Sequence, residues 1–154
     1  MGQFSGETLQ KNNGTGSGHP RLKILLADDN PALLRELLLA LDKEFEVVST
    51  VADGRALLEA CDRLHPDVIV TDISMPVLDG FEAVAKLRNR GTAKVVFLTV
   101  HEEHAFVEEA KALGAMGYVL KRSRPSVLAA AIRSANDGRF FLCPDLCSDR
   151  DRAT

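Results

Sequence analysis

Four short apolar runs in this chain end in side chains that can do chemistry. Asp28-Asp29 follows LKILLA, Asp72 follows DVIVT, Thr99 closes KVVFLT, and Lys121 follows GYVL. Carboxylates that converge in a partly desolvated cleft repel one another, so such a group is stable only with a cation present or with some pKa values raised. Mg2+ is the natural cation. It takes hard oxygen ligands in octahedral geometry, typically one or two carboxylates, retained waters and a phosphate oxygen. An Asp carboxylate can attack phosphorus to give an acyl phosphate, while a metal and a nearby ammonium offset charge on the phosphoryl oxygens. Lys121 and Thr99 suit those supporting roles.

That chemistry requires the run ends to meet. From Leu22 onward, runs rich in Val, Ile and Leu alternate with longer segments of helical period, the pattern of strand-helix units around a parallel sheet. Strands are predicted over Leu22 to Ala27, Glu46 to Val51, Asp67 to Thr71, Lys94 to Val100 and Gly117 to Leu120, with five helices between and after them. Asn30 with Pro31 starts the first helix, whose core stripe is Leu34, Leu37, Leu38 and Leu41. Leu33 and Leu39 widen that stripe, either as added core or as a face for a homodimer. Asp79-Gly80 opens the third helix, with Phe81, Val84 and Leu87 on one side, and Gly91 suits a left-handed exit. Phe106, Ala110 and Leu113 mark the fourth, and the fifth runs from Pro125 to the stop at Asn136-Asp137-Gly138. The predicted fold is α/β, a flavodoxin-like (βα)5 three-layer sandwich with a five-stranded parallel sheet in the order 2-1-3-4-5. In such sheets ligands bind beyond the carboxyl ends where strand order reverses, and this order sets strands one and three side by side. Asp28, Asp29 and Asp72 then share one crevice.

Composition narrows the function classes. With 154 residues, 45% hydrophobic and 27% charged, the chain has the apolar material for one domain and too little length for two ordinary ones. A net charge of -3 argues against gripping nucleic acid unaided. Three cysteines, an odd number, argue against a secreted disulfide framework and for a cytoplasmic location. No apolar run approaches the roughly 20 residues a membrane span needs. Residues 1–20, rich in Gly, Ser, Thr and Asn, read as a disordered tail, 21–141 as the folded domain, and 142–154 as a linker or tail.

Several residues carry a plainer reading beside the chemical one. Asp28-Asp29 alone is a common turn or cap, Thr99 a common strand filler, and Lys121 with Arg122 and Arg124 a solvated basic patch. Their joint occurrence favours the site. His101 and His104, around Glu102 and Glu103, read as a solvated helix start rather than a zinc site. Cys143 and Cys147 read as free thiols, and Cys61 as packed in the second helix.

The segments RLKILLADDNP, PDVIVTDISMPVLDG, VVFLTV and GYVLKRSRP resemble the response-regulator receiver family, across roughly Leu22 to Arg139. The resemblance implies that Asp72 is the phosphoacceptor, that a sensor histidine kinase is the phosphodonor, and that Mg2+ is the cofactor. Asp29 and Asp72 would bind the ion directly, Asp28 through water, and Ser74 through its backbone carbonyl. Lys121 would pair with the phosphate. Thr99 corresponds to the switch hydroxyl and Tyr118 to the aromatic that moves inward with it, with the fourth helix, fifth strand and fifth helix as the readout surface. Activity would be limited to self-phosphorylation and autodephosphorylation. Val100 departs from the family's usual small residue after the threonine, and its bulk would narrow access to Asp72.

The stretch DGRFFLCP resembles the end of receivers that precede a LuxR-type helix-turn-helix effector. Only 13 residues follow Phe141, too few for the two further helices such an effector needs. The expected function is therefore the receiver module of a two-component transcriptional regulator, reaching DNA only through an effector domain absent from this chain. The alternative is a stand-alone regulator acting through protein contacts or a phosphorelay. A Mg2+-dependent phosphatase of Rossmann-like fold would need a D-x-D at Asp72 and a cap insertion, neither of which is present. A flavodoxin-type cofactor site would set Asp28-Asp29 against the FMN phosphate.

Overall fold

A computed structural model describes residues 20–147. The predicted tail over residues 1–19 and the last residues, 148–154, lie outside the described residues.

The strands are β1 (Lys23–Ala27), β2 (Glu46–Val51), β3 (Val68–Thr71), β4 (Lys94–Thr99), β5 (Gly117–Leu120) and a short β6 (Phe141–Leu142). The helices are α1 (Pro31–Leu41), α2 (Gly54–Leu64), α3 (Gly80–Leu87), α4 (His104–Ala112) and α5 (Pro125–Asn136). All strands are parallel, in the order β2-β1-β3-β4-β5-β6. The first five follow the predicted order, and the sixth extends the sheet beyond it. β6 was not predicted because two residues carry no readable period. It is held by Phe141 N–H donating to the Met116 carbonyl (3.0 Å) and Cys143 N–H donating to that of Tyr118 (2.9 Å). A 3-10 turn, Pro144–Leu146, follows it.

The central strands are buried on both faces, which is why they read as continuous apolar runs rather than alternating ones. Ile24, Leu26, Val68, Val70, Val96 and Leu98 meet α1 and α5 on one face. Leu25, Ile69 and Phe97 meet α2, α3 and α4 on the other. Three layers result.

Local signals set the helix starts. The Asn30 side chain accepts from Ala32 and Leu33 N–H, with Pro31 in the first turn where a missing donor costs little. Asp79 and Glu82 form a reciprocal capping box at α3. Gly91 takes the positive φ predicted for it, +138, but three residues beyond Arg88, the right-handed residue that ends α3, so it turns the following loop rather than the helix exit. The α1 stripe is narrower than predicted: Leu37 and Leu41 are buried, whereas Leu38 is 37% and Leu39 73% exposed. Leu38 lies further round the helix from the sheet-facing stripe of Leu37 and Leu41 and is only partly covered.

Candidate functional site

β1 and β3 pair in register from Ile24↔Val68 to Ala27↔Thr71, so the residues that follow them emerge together at the carboxyl edge. Strand order reverses here, with β2 on one side of β1 and β3 on the other. Asp72 N–H donates to the Ala27 carbonyl (3.0 Å) and Asp28 N–H to the Val51 carbonyl (3.0 Å), fixing both backbones. Asp28, Asp29 and Asp72 each place a carboxylate oxygen within 4.8 Å of the others. Among the described residues this is the one group of three or more potential metal-ligating acids, histidines or cysteines. His101 and His104 join no such group.

Asp28 is 2% and Asp72 5% exposed, while Asp29 is open to solvent. The Lys121 ammonium stands 2.8 Å from both Asp28 Oδ2 and Asp72 Oδ2. It donates a hydrogen bond to Asp72. Its contact with Asp28 Oδ2 is charge pairing without hydrogen-bond alignment, and that buried oxygen has no other partner. Asp72 Oδ1 accepts from Ile73 N–H at 2.7 Å, so both of its oxygens are oriented. Burial pushes the Asp28 carboxyl above its ordinary value against the pull of Lys121. Burial would depress Lys121, but its two carboxylate partners outweigh it and hold the ammonium above its ordinary value.

One ammonium among three carboxylates leaves an excess of negative charge, and the buried Asp28 Oδ2 has no partner but the ammonium it shares with Asp72. Asp29 makes no hydrogen bond or ion pair among the described residues. This all-oxygen donor set fits a hard divalent cation.

Thr99 is fully buried, and its Oγ1 accepts from His101 N–H (3.1 Å). Tyr118 is fully buried too, with its hydroxyl donating to the His101 carbonyl at 2.9 Å. Burial pushes that phenol up. Ser74 is exposed, with Oγ 3.0 Å from His101 Nε2. The His101 ring also stacks on Phe106, centroids 4.2 Å apart and 14° from parallel. Val100, the residue after Thr99, is 65% exposed. An open groove beside the acids is lined by Asp29, Ser74, Met75, Phe81, His101 and Phe106.

Two of these residues escaped sequence reasoning. His101 joins the loops after β3 and β4; its spacing two residues beyond Thr99 was visible, but pairing it with His104 pointed elsewhere. Gly80 lets α3 approach the site: a Cβ there would lie 2.1 Å from the Asp72 carbonyl oxygen, and Gly80 N–H already donates to the Ile73 carbonyl at 2.7 Å.

Comparison with known proteins agrees with this geometry. Residues 24–133 match the family described as the response regulator receiver domain. The transcriptional regulatory protein DegU of Brevibacillus brevis is 34% identical over 128 residues, which are 80% of this chain and 54% of that protein. The chain thus spans about half the length of that relative. The signal receiver domain of the putative response regulator NarL from Mycobacterium tuberculosis superposes with a TM-score of 0.75 at 30% identity, covering 79% of this chain and all of that one. A LuxR-family two-component response regulator from Aurantimonas sp. SI85-9A1 gives a TM-score of 0.80 at 29% identity, covering 87% and 99%. By the family match over residues 24–133 and by the likeness in fold, this chain belongs to the response regulator receiver domain family, with relatives among transcriptional regulators of the LuxR and NarL type.

Proposed function

We propose that this chain is the phosphoacceptor module of a cytoplasmic two-component transcriptional regulator, phosphorylated on Asp72 by a sensor histidine kinase. The observation that carries the reading is the buried Asp72 carboxylate held between Lys121 and the Asp28-Asp29 pair. In the transfer, an Asp72 oxygen forms a bond to phosphorus as the bond from phosphorus to the donor histidine nitrogen breaks, and the donor ring, protonated beforehand on its other nitrogen, leaves as neutral imidazole with the electron pair of that bond. The Ile73 N–H and the Lys121 ammonium orient the two Asp72 oxygens for that attack. Lys121 then offsets charge on the phosphoryl group. The Thr99 hydroxyl accepts from His101 N–H and keeps its own proton to donate to a phosphoryl oxygen.

Mg2+ fits the acidic group. Asp29 and Asp72 would hold it directly, Asp28 through water and Ser74 through its carbonyl. When bound, it supplies positive charge against the phosphoryl oxygens. The longer transcriptional relatives support a regulator whose DNA contact is made by a separate effector domain.

Intact mass spectrometry with acetyl phosphate and Mg2+ tests the chemistry. The wild-type chain gains about 80 Da, one phosphoryl group in place of a proton, and Asp72→Ala gains nothing; equal labelling of both would refute the assignment. The same assay followed over time tests Val100, whose bulk directly after Thr99 leads us to expect faster labelling and faster loss in Val100→Ala.

A further inference from the structure

β6 and the turn after it are tied to the parts of the domain that surround Lys121. Gly117 pairs with Phe141 and Tyr118 with Leu142. Cys143 is buried, donates its N–H to the Tyr118 carbonyl, and sets its Sγ 3.0 Å from Ser123 Oγ. The Phe140 ring lies under the α4 ammonium of Lys111, 5.4 Å from its centroid. Arg122 Nε stands 3.7 Å from Asp145 Oδ2, and its Nη1 also bonds Glu102. Each tie runs to β5, to the loop after it, or to α4.

We propose that the segment Phe140–Leu146 is the output arm of the domain, coupled to Asp72 through Arg122, which bridges Glu102 in the loop after β4 to Asp145 in the turn after β6. The proposal rests on the phosphoacceptor reading of Asp72. Phosphorylation replaces the single negative charge of the Asp72 carboxylate with a phosphoryl group carrying nearly two, set further out from the backbone. Lys121 Nζ, shared at 2.8 Å between Asp28 and Asp72, is drawn toward it, and so is the Thr99 hydroxyl that now holds His101 N–H. Arg122 follows Lys121, and Glu102 follows His101, so one event displaces both ends of the Glu102–Arg122 pair. Asp145 competes for the same guanidinium, whose planar fork serves two carboxylates only in a narrow range of geometries. A shift of Glu102 therefore changes the hold on Asp145.

The bias is small, because these side chains are about half exposed and such pairs are weak. It acts where a small bias shows: two residues of edge strand have few hydrogen bonds to break, and such segments open far below the global unfolding energy. Because β6 lies along the β5 edge, a partner reading the face of α4 and β5 meets this arm as well.

Amide hydrogen exchange of the full chain, with and without excess acetyl phosphate and Mg2+, tests the coupling while intact mass reports phosphoryl occupancy. In the wild type, exchange across residues 140–147 changes by about two- to five-fold on phosphorylation, the range a weak exposed pair can bias. Asp145→Asn and Glu102→Gln, each cutting one side of the bridge, take the phosphoryl group normally but lose that change. A merely structural bridge would raise exchange equally in both states. Full occupancy with unaltered wild-type exchange at 140–147, or with the change surviving in both variants, overturns the coupling and leaves the Asp72 reading intact. A wild-type chain that never gains the phosphoryl mass brings down both.

Discussion

Lys121 brings one positive charge into a cleft with three carboxylates, and two of those are buried, so the metal-free site keeps an unbalanced charge where water is scarce. Asp28 bears the cost: its folded carboxyl binds a proton more tightly than the ordinary value of 3.8 implies. A raised acid favours folding fully below 3.8, and that contribution is lost as pH rises through the folded value. Lys121 has the same sign higher up, its contribution present below 10.5 and lost beyond its folded value. Asn at position 28 keeps the shape without the charge. Metal-free Asp28→Asn is therefore expected to be more stable than wild type at neutral pH, with the gap closing as pH falls toward 3.8. Its Mg2+ affinity falls about 10- to 100-fold, as for loss of other groups that act on a metal from beyond its direct ligands. Urea denaturation across pH in chelator, then in rising Mg2+, measures both; a variant less stable than wild type in chelator would contradict the charge argument.

The elements that carry these residues tolerate little change at one point. A methyl at position 80 would drive α3 into the Asp72 carbonyl, so Gly80→Ala is expected to lose about 1–3 kcal/mol, as overpacked cores do. The displaced Asp72 should also label more slowly, which denaturation and a phosphorylation time course check together. Val77 presents the opposite case. It is 70% exposed with φ +70, and Leu78 N–H donates across it to the Pro76 carbonyl at 2.7 Å, a strained γ-turn around a β-branched residue. Asn accepts positive φ more easily, so Val77→Asn is expected to stabilise the domain by up to about 1 kcal/mol. An unchanged or lower thermal midpoint would show that the turn stores no strain. The strands around this loop were legible because burial on both faces writes them as unbroken apolar runs, and Asn30-Pro31 and Asp79-Gly80 marked helix starts chemically. The γ-turn was not legible, since its sequence, Pro76-Val77-Leu78, lacks the Gly or Asn that advertises positive φ. β6 escaped for want of length, and the role of His101 because its partner Ser74 is 27 residues away.

At the scale of the molecule, the acidic group joins the ends of β1 and β3, which sit inside the sheet and carry side chains into both cores. A ligand that binds only the folded chain stabilises all of it, by about 2.7 kcal/mol at a hundred times its dissociation constant. Mg2+ should therefore slow exchange of the most protected amides of β1, β3 and β4 and raise the denaturation midpoint, rather than quiet the loops alone. Asp29 separates this effect from ordinary structural support. Its carboxylate is exposed and unpartnered among the described residues, so Asp29→Ala is expected to change metal-free stability by no more than about 0.5 kcal/mol. The same variant should lose most of the stabilisation by Mg2+, because the carboxylate we propose as a direct ligand is gone while the fold is not. Denaturation of wild type and Asp29→Ala in chelator and in saturating Mg2+ gives the four numbers required. Equal metal stabilisation of both chains would mean that the ion sits elsewhere, and the charge imbalance around Asp28 and Asp72 would then have to be met by protonation instead.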